Sequence, residues 1–270
     1  MRDLFRREYA MAHNSYRAAT RMLLLGLLAV AVPTAVVQGQ RPRVNFEEET
    51  HFRCYIVSQQ TPQPATPVTL SDQFGDGVSI EIDEPLQFCP PVSKNGVPIE
   101  EPEEHLTMYA AAANLETHLV VETQDQFGLR TLEVVGARVL FVPTQKLAVN
   151  GVETGLDFPD RLNHWWCYDA NGEPVDQDVT LEDQFRADAV RVEQPVYFCN
   201  PVEKTRVGGR RAERVPEPDV HLTCYEIHGP QSTNPTRVDV LNQFERDTFT
   251  ITSFELLCVP AAKLSFRSAA

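Results

Sequence analysis

The sequence predicts an all-β protein with two tandem antiparallel domains. Each domain is expected to be a sandwich or barrel-like sheet built from two repeats and held by disulfides. Three observations support this: a frame of motifs occurs four times, its apolar residues alternate with period two, and six cysteines recur at fixed places in it. Period-two alternation indicates a half-buried strand. An even cysteine count is typical of exported, disulfide-bonded chains.

The repeated frame has an opening, a middle and a closing motif. It opens with "HFRCY", "HLTMY", "HWWCY" and "HLTCY", continues with "DQF" three times and "NQF" once, and closes with "CPPVSK", "FVPTQK", "CNPVEK" and "CVPAAK". Copies one and three resemble each other, as do copies two and four, so the order is A–B–A–B. One copy of about 50 residues buries too little apolar surface to fold alone, which favours pairs of copies.

The frame sets the predicted boundaries. We expect a signal peptide at 1–39, a first domain at 40–147 with repeats 51–94 and 105–147, a linker at 148–163, and a second domain at 164–264 with repeats 164–204 and 221–264. The linker is chosen because it contains Gly and Pro and lacks the frame.

Each copy is predicted to hold three or four short strands. In copy one, Val68 and Leu70 lie on one face of a first strand, and Val78, Ile80 and Ile82 on one face of the next. The opening motif is expected to be a further strand. The alanine-rich stretch after His105 favours helix by composition, but its counterparts are polar and rich in proline, so a loop or short helical turn is expected.

The cysteines are predicted to pair within each copy. Three copies have one cysteine in the opening motif and one in the closing motif, whereas copy two has Met108 and Phe141 in those places. Both cysteines are lost together, as expected if the two positions touch. The predicted bonds are Cys54–Cys89, Cys167–Cys199 and Cys224–Cys258. Thiolate zinc sites use closely spaced pairs such as CxxC, and this chain has none.

The N-terminal region has the pattern of a secretory signal. Five arginines precede the apolar run Met22–Val32, which is too short to span a bilayer, and Val37 and Gly39 suit cleavage after Gly39. An uncleaved anchor is the alternative. Cleavage would change the formal charge from −14 to −17. Such an acidic protein would repel nucleic acid. We expect it to be secreted, periplasmic or at the cell surface, with no membrane span after cleavage.

Two polar positions recur in all four copies and are expected to be structural. The opening histidines are expected to hydrogen-bond to nearby backbone, with metal ligation as the alternative. The acid or amide of the middle motif is expected to cap a turn; calcium binding or general-base catalysis is the alternative. These positions are His51, His105, His164 and His221, and Asp72, Asp125, Asp183 and Asn242.

Two other segments are candidate sites. Asp169–Asp178 is rich in oxygen ligands, but it lacks the glycine and the terminal glutamate of a calcium loop, and its Asn-Gly favours a hairpin turn. Lys204–Arg214 is a basic segment that could bind an anionic glycan or a partner. No nucleophile, zinc-protease or nucleotide-binding motif occurs. No catalytic residue, metal or cofactor is therefore assigned.

The combined motifs HxxCY, DQF and CxPxxK resemble a family of uncharacterised repeat domains found in exported bacterial proteins. This resemblance covers about residues 50–264. It implies export and repeated β-domains and transfers no catalytic residue. Copy two departs from the pattern because it lacks both cysteines.

These observations favour a non-enzymatic exported protein that binds a protein or glycan, or has a structural role, at the cell envelope or outside the cell. One alternative is a secreted glycan hydrolase that uses carboxylates between the two halves, because glycosidase carboxylates carry no motif. The other is a calcium-dependent adhesin-like module.

Overall fold

The fold is taken from a computed structural model, which describes residues 44–59, 65–113, 115, 117–206, 213–231 and 234–269. Within these ranges the chain is all-β, as predicted, and forms 17 strands. No helix in this part of the chain is long and apolar enough to cross a membrane. The predicted signal peptide, 1–39, and most of the basic segment, 207–212, lie outside the described residues.

Each repeat contributes an opening strand, a hairpin and a closing strand. Repeats one and two hold β1 (Phe52–Gln59), β2 (Thr66–Ser71), β3 (Val78–Ile82), β4 (Pro85–Cys89), β5 (Ser93–Lys94), β6 (Leu106–Ala110), β7 (His118–Asp125), β8 (Gly128–Pro143) and β9 (Gln145–Val149), and β10 (Val152–Glu153) follows them. Repeats three and four hold β11 (Trp165–Asn171), β12 (Gln177–Glu182), β13 (Ala187–Pro201), β14 (Glu203–Arg206), β15 (His221–His228), β16 (Thr236–Leu241) and β17 (Arg246–Ser268). The alanine-rich stretch after β6 is irregular where it is described.

Eight of these strands form one closed antiparallel ring, two from each repeat. Neighbours pair in the order β1, β4, β6, β8, β11, β13 and β15, and β17 then pairs with both β15 and β1. The predicted halves are therefore hydrogen-bonded to each other twice, by β8 with β11 and by β17 with β1. Gln40–Ala270 is one compact unit. The predicted linker includes β10, which pairs back on β9.

The inside of the ring is filled by inward-facing apolar side chains. Successive strand residues point to opposite faces, so Phe52 and Cys54 face inward while Tyr55 faces outward. The Phe52 and Trp165 rings, from opposite sides of the ring, lie 6.3 Å apart at an angle of 63°. All six cysteines belong to this inner cluster. Side chains commonly fill the interior of an eight-stranded ring.

The hairpins interlock repeats that lie two places apart. The closing strand of each repeat pairs with the hairpin of the repeat opposite: β5 with β12, β9 with β16, β14 with β2, and the end of β17 with β7. Two further apolar clusters lie between these hairpins and the outer face of the ring. The alternating residues of the first hairpin, Val68, Leu70, Ile80 and Ile82, are all buried there.

Candidate functional site

The three disulfides each join the two ring strands of one repeat. They are Cys54–Cys89, Cys167–Cys199 and Cys224–Cys258, with Cα atoms 3.9 to 4.1 Å apart. These are the pairs that the repeat frame predicts. In repeat two, Met108 stands directly opposite Phe141 in the same register, and both are buried. No cysteine is free in the described chain, and all six therefore have a structural role.

The acid of each DQF motif makes two kinds of hydrogen bond. Its Oδ1 accepts from the backbone N–H of the Phe two residues later, at 2.7 Å in Asp72, Asp125 and Asp183. Its Oδ2 accepts from the Tyr hydroxyl of the opposite repeat, at 2.5 to 2.9 Å. The Tyr partners of Asp72, Asp125 and Asp183 are Tyr168, Tyr225 and Tyr55. The acid thus caps its turn and also fixes the hairpin to the ring.

Repeat four achieves the same contacts with different residues. Asn242 caps the turn through Oδ1, at 2.8 Å from the Phe244 nitrogen, and its amide donates to the Tyr109 hydroxyl at 2.7 Å. That hydroxyl donates in turn to Glu245 at 2.6 Å. Glu245 therefore supplies the carboxylate that Asn242 lacks. The recurrence of these contacts in all four repeats is what a structural role requires.

The four opening histidines lie in separate places, one beside the closing lysine of each repeat. His105 and His221 each hold a backbone oxygen two residues earlier through Nδ1, at 2.8 and 3.1 Å. Because the carbonyl can only accept, Nδ1 carries the proton. Burial, and then the neighbouring lysine, lowers the pKa of His51 to about 4 and those of His105 and His221 to about 3. Neutral histidines that hydrogen-bond to the backbone beside a lysine support the structural interpretation.

A cleft of about 500 Å³ is the strongest candidate for a binding site. We call it the connector-end cleft, because it lies where the segments that precede the opening histidines meet. Its walls come from both halves of the chain and are mostly acidic. They include Glu48, Glu49, Thr50, Glu101, Glu103, Glu104, Phe158, Asp160, Arg161 and Glu217.

Two carboxyl groups in this cleft hold protons unusually tightly. Burial, followed by repulsion from Glu217 and Glu48, raises the pKa of Glu49 to about 7. Burial also raises the pKa of Glu104 to about 7. A hydrogen bond to Thr50 opposes this shift, and repulsion from neighbouring glutamates adds to it. Perturbed carboxyl groups in a concave site often mark function.

A second cleft, of about 690 Å³, shares the wall formed by Phe158, Asp160 and Arg161. It reaches His164, Gln243 and Glu213. The carboxylate of Glu213 lies 2.9 Å from the buried Lys204 amine and 3.5 Å from His164 Nε2. Glu213 thus brings one end of the basic segment Lys204–Arg214 to this second cleft.

One group of described residues could hold a metal ion. Glu193, Glu226 and His228 have ligand atoms within 4.8 Å of one another, and His228 Nε2 lies 3.3 Å from each carboxylate. Carboxylate oxygen and imidazole nitrogen are ligands that zinc accepts. None of the four opening histidines belongs to this group. In Asp169–Asp178, Asp169 pairs with Arg138, and Asp176 and Asp178 pair with Arg191.

The sequence pattern did not predict the connector-end cleft. The acidic run "VPIEEPEEH" before His105 was visible, but its convergence with Glu49 and Glu217 depends on the closure of the ring. The metal-capable group was also missed, because Glu193 and His228 lie on different strands.

Comparison with known proteins gives one match. A family described as a repeat of unknown function, DUF7450, matches residues 131–260, from β8 in repeat two to the closing motif of repeat four. No curated protein and no solved structure matches. Over those 130 residues the chain is thus similar to an uncharacterised repeat family.

Proposed function

We propose that this protein is an exported, non-enzymatic binding protein of the bacterial cell envelope or its surroundings, and that the connector-end cleft binds a basic segment of an extracellular protein. The three disulfides favour an oxidising compartment. The N-terminal pattern of basic and then apolar residues favours export. The repeated polar side chains are occupied in holding the fold together, which argues against catalysis at those positions.

The observation that carries this proposal is the crowding of acidic side chains around Glu49 and Glu104, where burial and then like charge raise the pKa of both to about 7. Like charges crowd these carboxyl groups, with Glu48, Glu101, Glu103 and Glu217 nearby and Arg161 on the same wall. A lysine or arginine side chain placed in the cleft would relieve this repulsion and favour the ionised carboxylates. The net negative charge would also accelerate encounter with a basic partner. Nucleic acid is disfavoured for the same reason.

Calorimetric titration with a short oligolysine peptide tests this proposal. Ionised carboxylates bind a cation better, so affinity should rise from about pH 6 to about pH 8, and binding near pH 7 should release protons. The double variant Glu49→Gln, Glu104→Gln should lose at least about tenfold in affinity. The exposed residue Glu153 on β10 provides the control, Glu153→Gln. No binding, or binding that the double variant leaves unchanged, would refute the proposal.

A glycan hydrolase is the second candidate, and one observation favours it. A carboxyl group with a pKa near 7 suits general acid catalysis, and the connector-end cleft lies between the halves. The assay is release of reducing ends from a panel of soluble glycans. Turnover that Glu104→Gln abolishes would establish the hydrolase. The binding proposal predicts no turnover.

A further inference from the structure

Asn200 interrupts the fourfold pattern of the closing motif. The equivalent residues of the other copies are Pro90, Val142 and Val259. Three copies fold with an apolar or imino residue here, so the ring itself does not need an amide. Asn200 is nevertheless fully buried, which calls for a specific explanation.

The Asn200 amide lies between an amine and a carboxyl group. Lys263 Nζ is 2.8 Å from Asn200 Oδ1. Asn200 Nδ2 is 3.1 Å from Asp72 Oδ2, which also accepts the Tyr168 hydroxyl at 2.9 Å. The three groups come from repeats one, three and four, and the fold alone brings them together.

Aromatic rings enclose the Lys263 amine. Nζ lies 4.5 Å from the centre of the Phe74 ring, 5.2 Å from that of Phe266 and 5.9 Å from that of Phe198. Burial lowers the pKa of Lys263 to about 7, against the opposing effect of nearby Asp72. Near neutral pH a substantial fraction of this amine is therefore uncharged and nucleophilic.

Lysines at the same place in other repeats provide a comparison. Lys94 and Lys204 also lie over the Phe of a DQF or NQF motif, at 5.5 and 5.0 Å from the ring centre. Asn200 lies in the repeat before that of Lys263, and the corresponding residues before Lys94 and Lys204 around the ring are Val259 and Val142. The amide is thus added to a lysine–aromatic arrangement that is otherwise shared.

We propose that Lys263 and Asn200 condense into an intramolecular isopeptide bond, a covalent modification that goes beyond the binding function. The neutral Nζ attacks Cγ of Asn200, and the carbonyl electron pair moves to Oδ1. Collapse of this intermediate restores the carbonyl and breaks the Cγ–Nδ2 bond. One proton passes from Nζ to Nδ2, which leaves as ammonia, so no oxidant or other reactant is needed.

Asp72 is the proton carrier in this step. Its Oδ2 already accepts from the departing Nδ2, and burial raises its pKa, which favours transient protonation. Backbone N–H groups of Phe74 and Gly75 hold its other oxygen at 2.7 and 2.9 Å. The carboxylate takes the proton from Nζ, gives it to Nδ2 and ends the reaction ionised as it began.

The product would cross-link β13 to β17 over the intervening strand β15. Residues 200 and 263 are 63 apart in sequence, so the bond would close a long loop and restrict the unfolded chain. It would fasten the end of β17, which also pairs with the hairpin of repeat two.

Peptide mass spectrometry of protein purified after expression of the full chain tests the proposal. After reduction and trypsin digestion, residues 192–204 and 247–267 should be found as one branched peptide, lighter by one ammonia than the two together. Loss of ammonia from the intact mass is not sufficient, because cyclisation of an N-terminal Gln40 would give the same change. If digestion of the folded protein yields the two peptides only in separate, unlinked form, the proposal is overturned.

Variants then assign the roles. Lys263→Arg and Asn200→Ala should remove the branched peptide. Asp72→Asn should also remove it while keeping the turn cap, because Asn242 caps the same turn in repeat four. Lys94→Arg is the matched control and should leave the link in place. The wild-type peptides decide the matter even if a variant fails to fold.

Discussion

At the scale of single residues, one pair of side chains connects each hairpin to the ring. The acid of the DQF motif satisfies both its own turn and a tyrosine from the opposite repeat, so it accounts for two buried polar groups at once. Repeat four shows which contact depends on this position. The side chain of Asn242 still caps the turn, whereas the carboxylate that accepts the tyrosine hydroxyl comes from Glu245.

Tyr225→Phe tests this pair. Asp125 is buried, and it accepts the Tyr225 hydroxyl at 2.5 Å. Removing the donor leaves a buried oxygen poorly satisfied, so we expect a loss of about 1–3 kcal/mol in the free energy of unfolding. Guanidinium denaturation with the disulfides intact measures it. Tyr197→Phe, at a partly exposed position on β13, should change it little, and an equal effect of the two variants would contradict the assignment.

At the scale of strands and connectors, the register between the two ring strands of a repeat determines which opposed side chains can link them. Met108 and Phe141 occupy the register that cysteines occupy in the other three repeats. An opposed pair in this register brings the two Cβ atoms close enough for a disulfide.

The double variant Met108→Cys, Phe141→Cys should therefore form a fourth disulfide on oxidative expression. Thiol titration should find no free thiol, and peptide mapping should join residues 108 and 141. Met108→Cys alone should show one free thiol. Two free thiols in a folded double variant would show that the register of β6 and β8 differs from that described.

The connectors before the opening histidines contribute a pH dependence. The folded-state pKa of Glu104 is about 7, above the ordinary value of 4.5. Its stabilising contribution is complete below pH 4.5 and is lost as the pH rises through 7. Glu104→Gln should therefore stabilise the protein by on the order of 1 kcal/mol at about pH 8, after allowance for screening, and leave it unchanged at about pH 4. Denaturation of both proteins at the two pH values checks this. The prediction would be contradicted if Glu104→Gln were less stable than the unchanged protein at the higher pH, or if Glu153→Gln gave the same stabilisation as Glu104→Gln.

At the scale of the whole molecule, the four repeats depend on one another. Each hairpin is held by the closing strand and the tyrosine of the repeat two places away, and the ring closes only when β17 meets β1. Every one of these contacts between opposite repeats joins the first half of the chain to the second. Neither half alone would satisfy its own hairpins.

This interdependence explains which features of the molecule could be predicted from the sequence and which could not. The pairing of Cys54 with Cys89 was predictable because both members lie in one copy and are lost together in copy two. The capping role of Asp72 was predictable because an Asx turn is local. The contact of Asp72 with Tyr168 was not, because identical motifs do not reveal which copy meets which. The connector-end cleft and the Asn200–Lys263 contact were missed for the same reason.

Hydrogen exchange by mass spectrometry at increasing guanidinium concentration, with the disulfides intact, tests the interlocked ring most directly. We expect peptides from β1 and β6 in the first half and from β15 and β17 in the second to lose protection at one common midpoint. Two separate midpoints, with one half still protected after the other has exchanged, would contradict it.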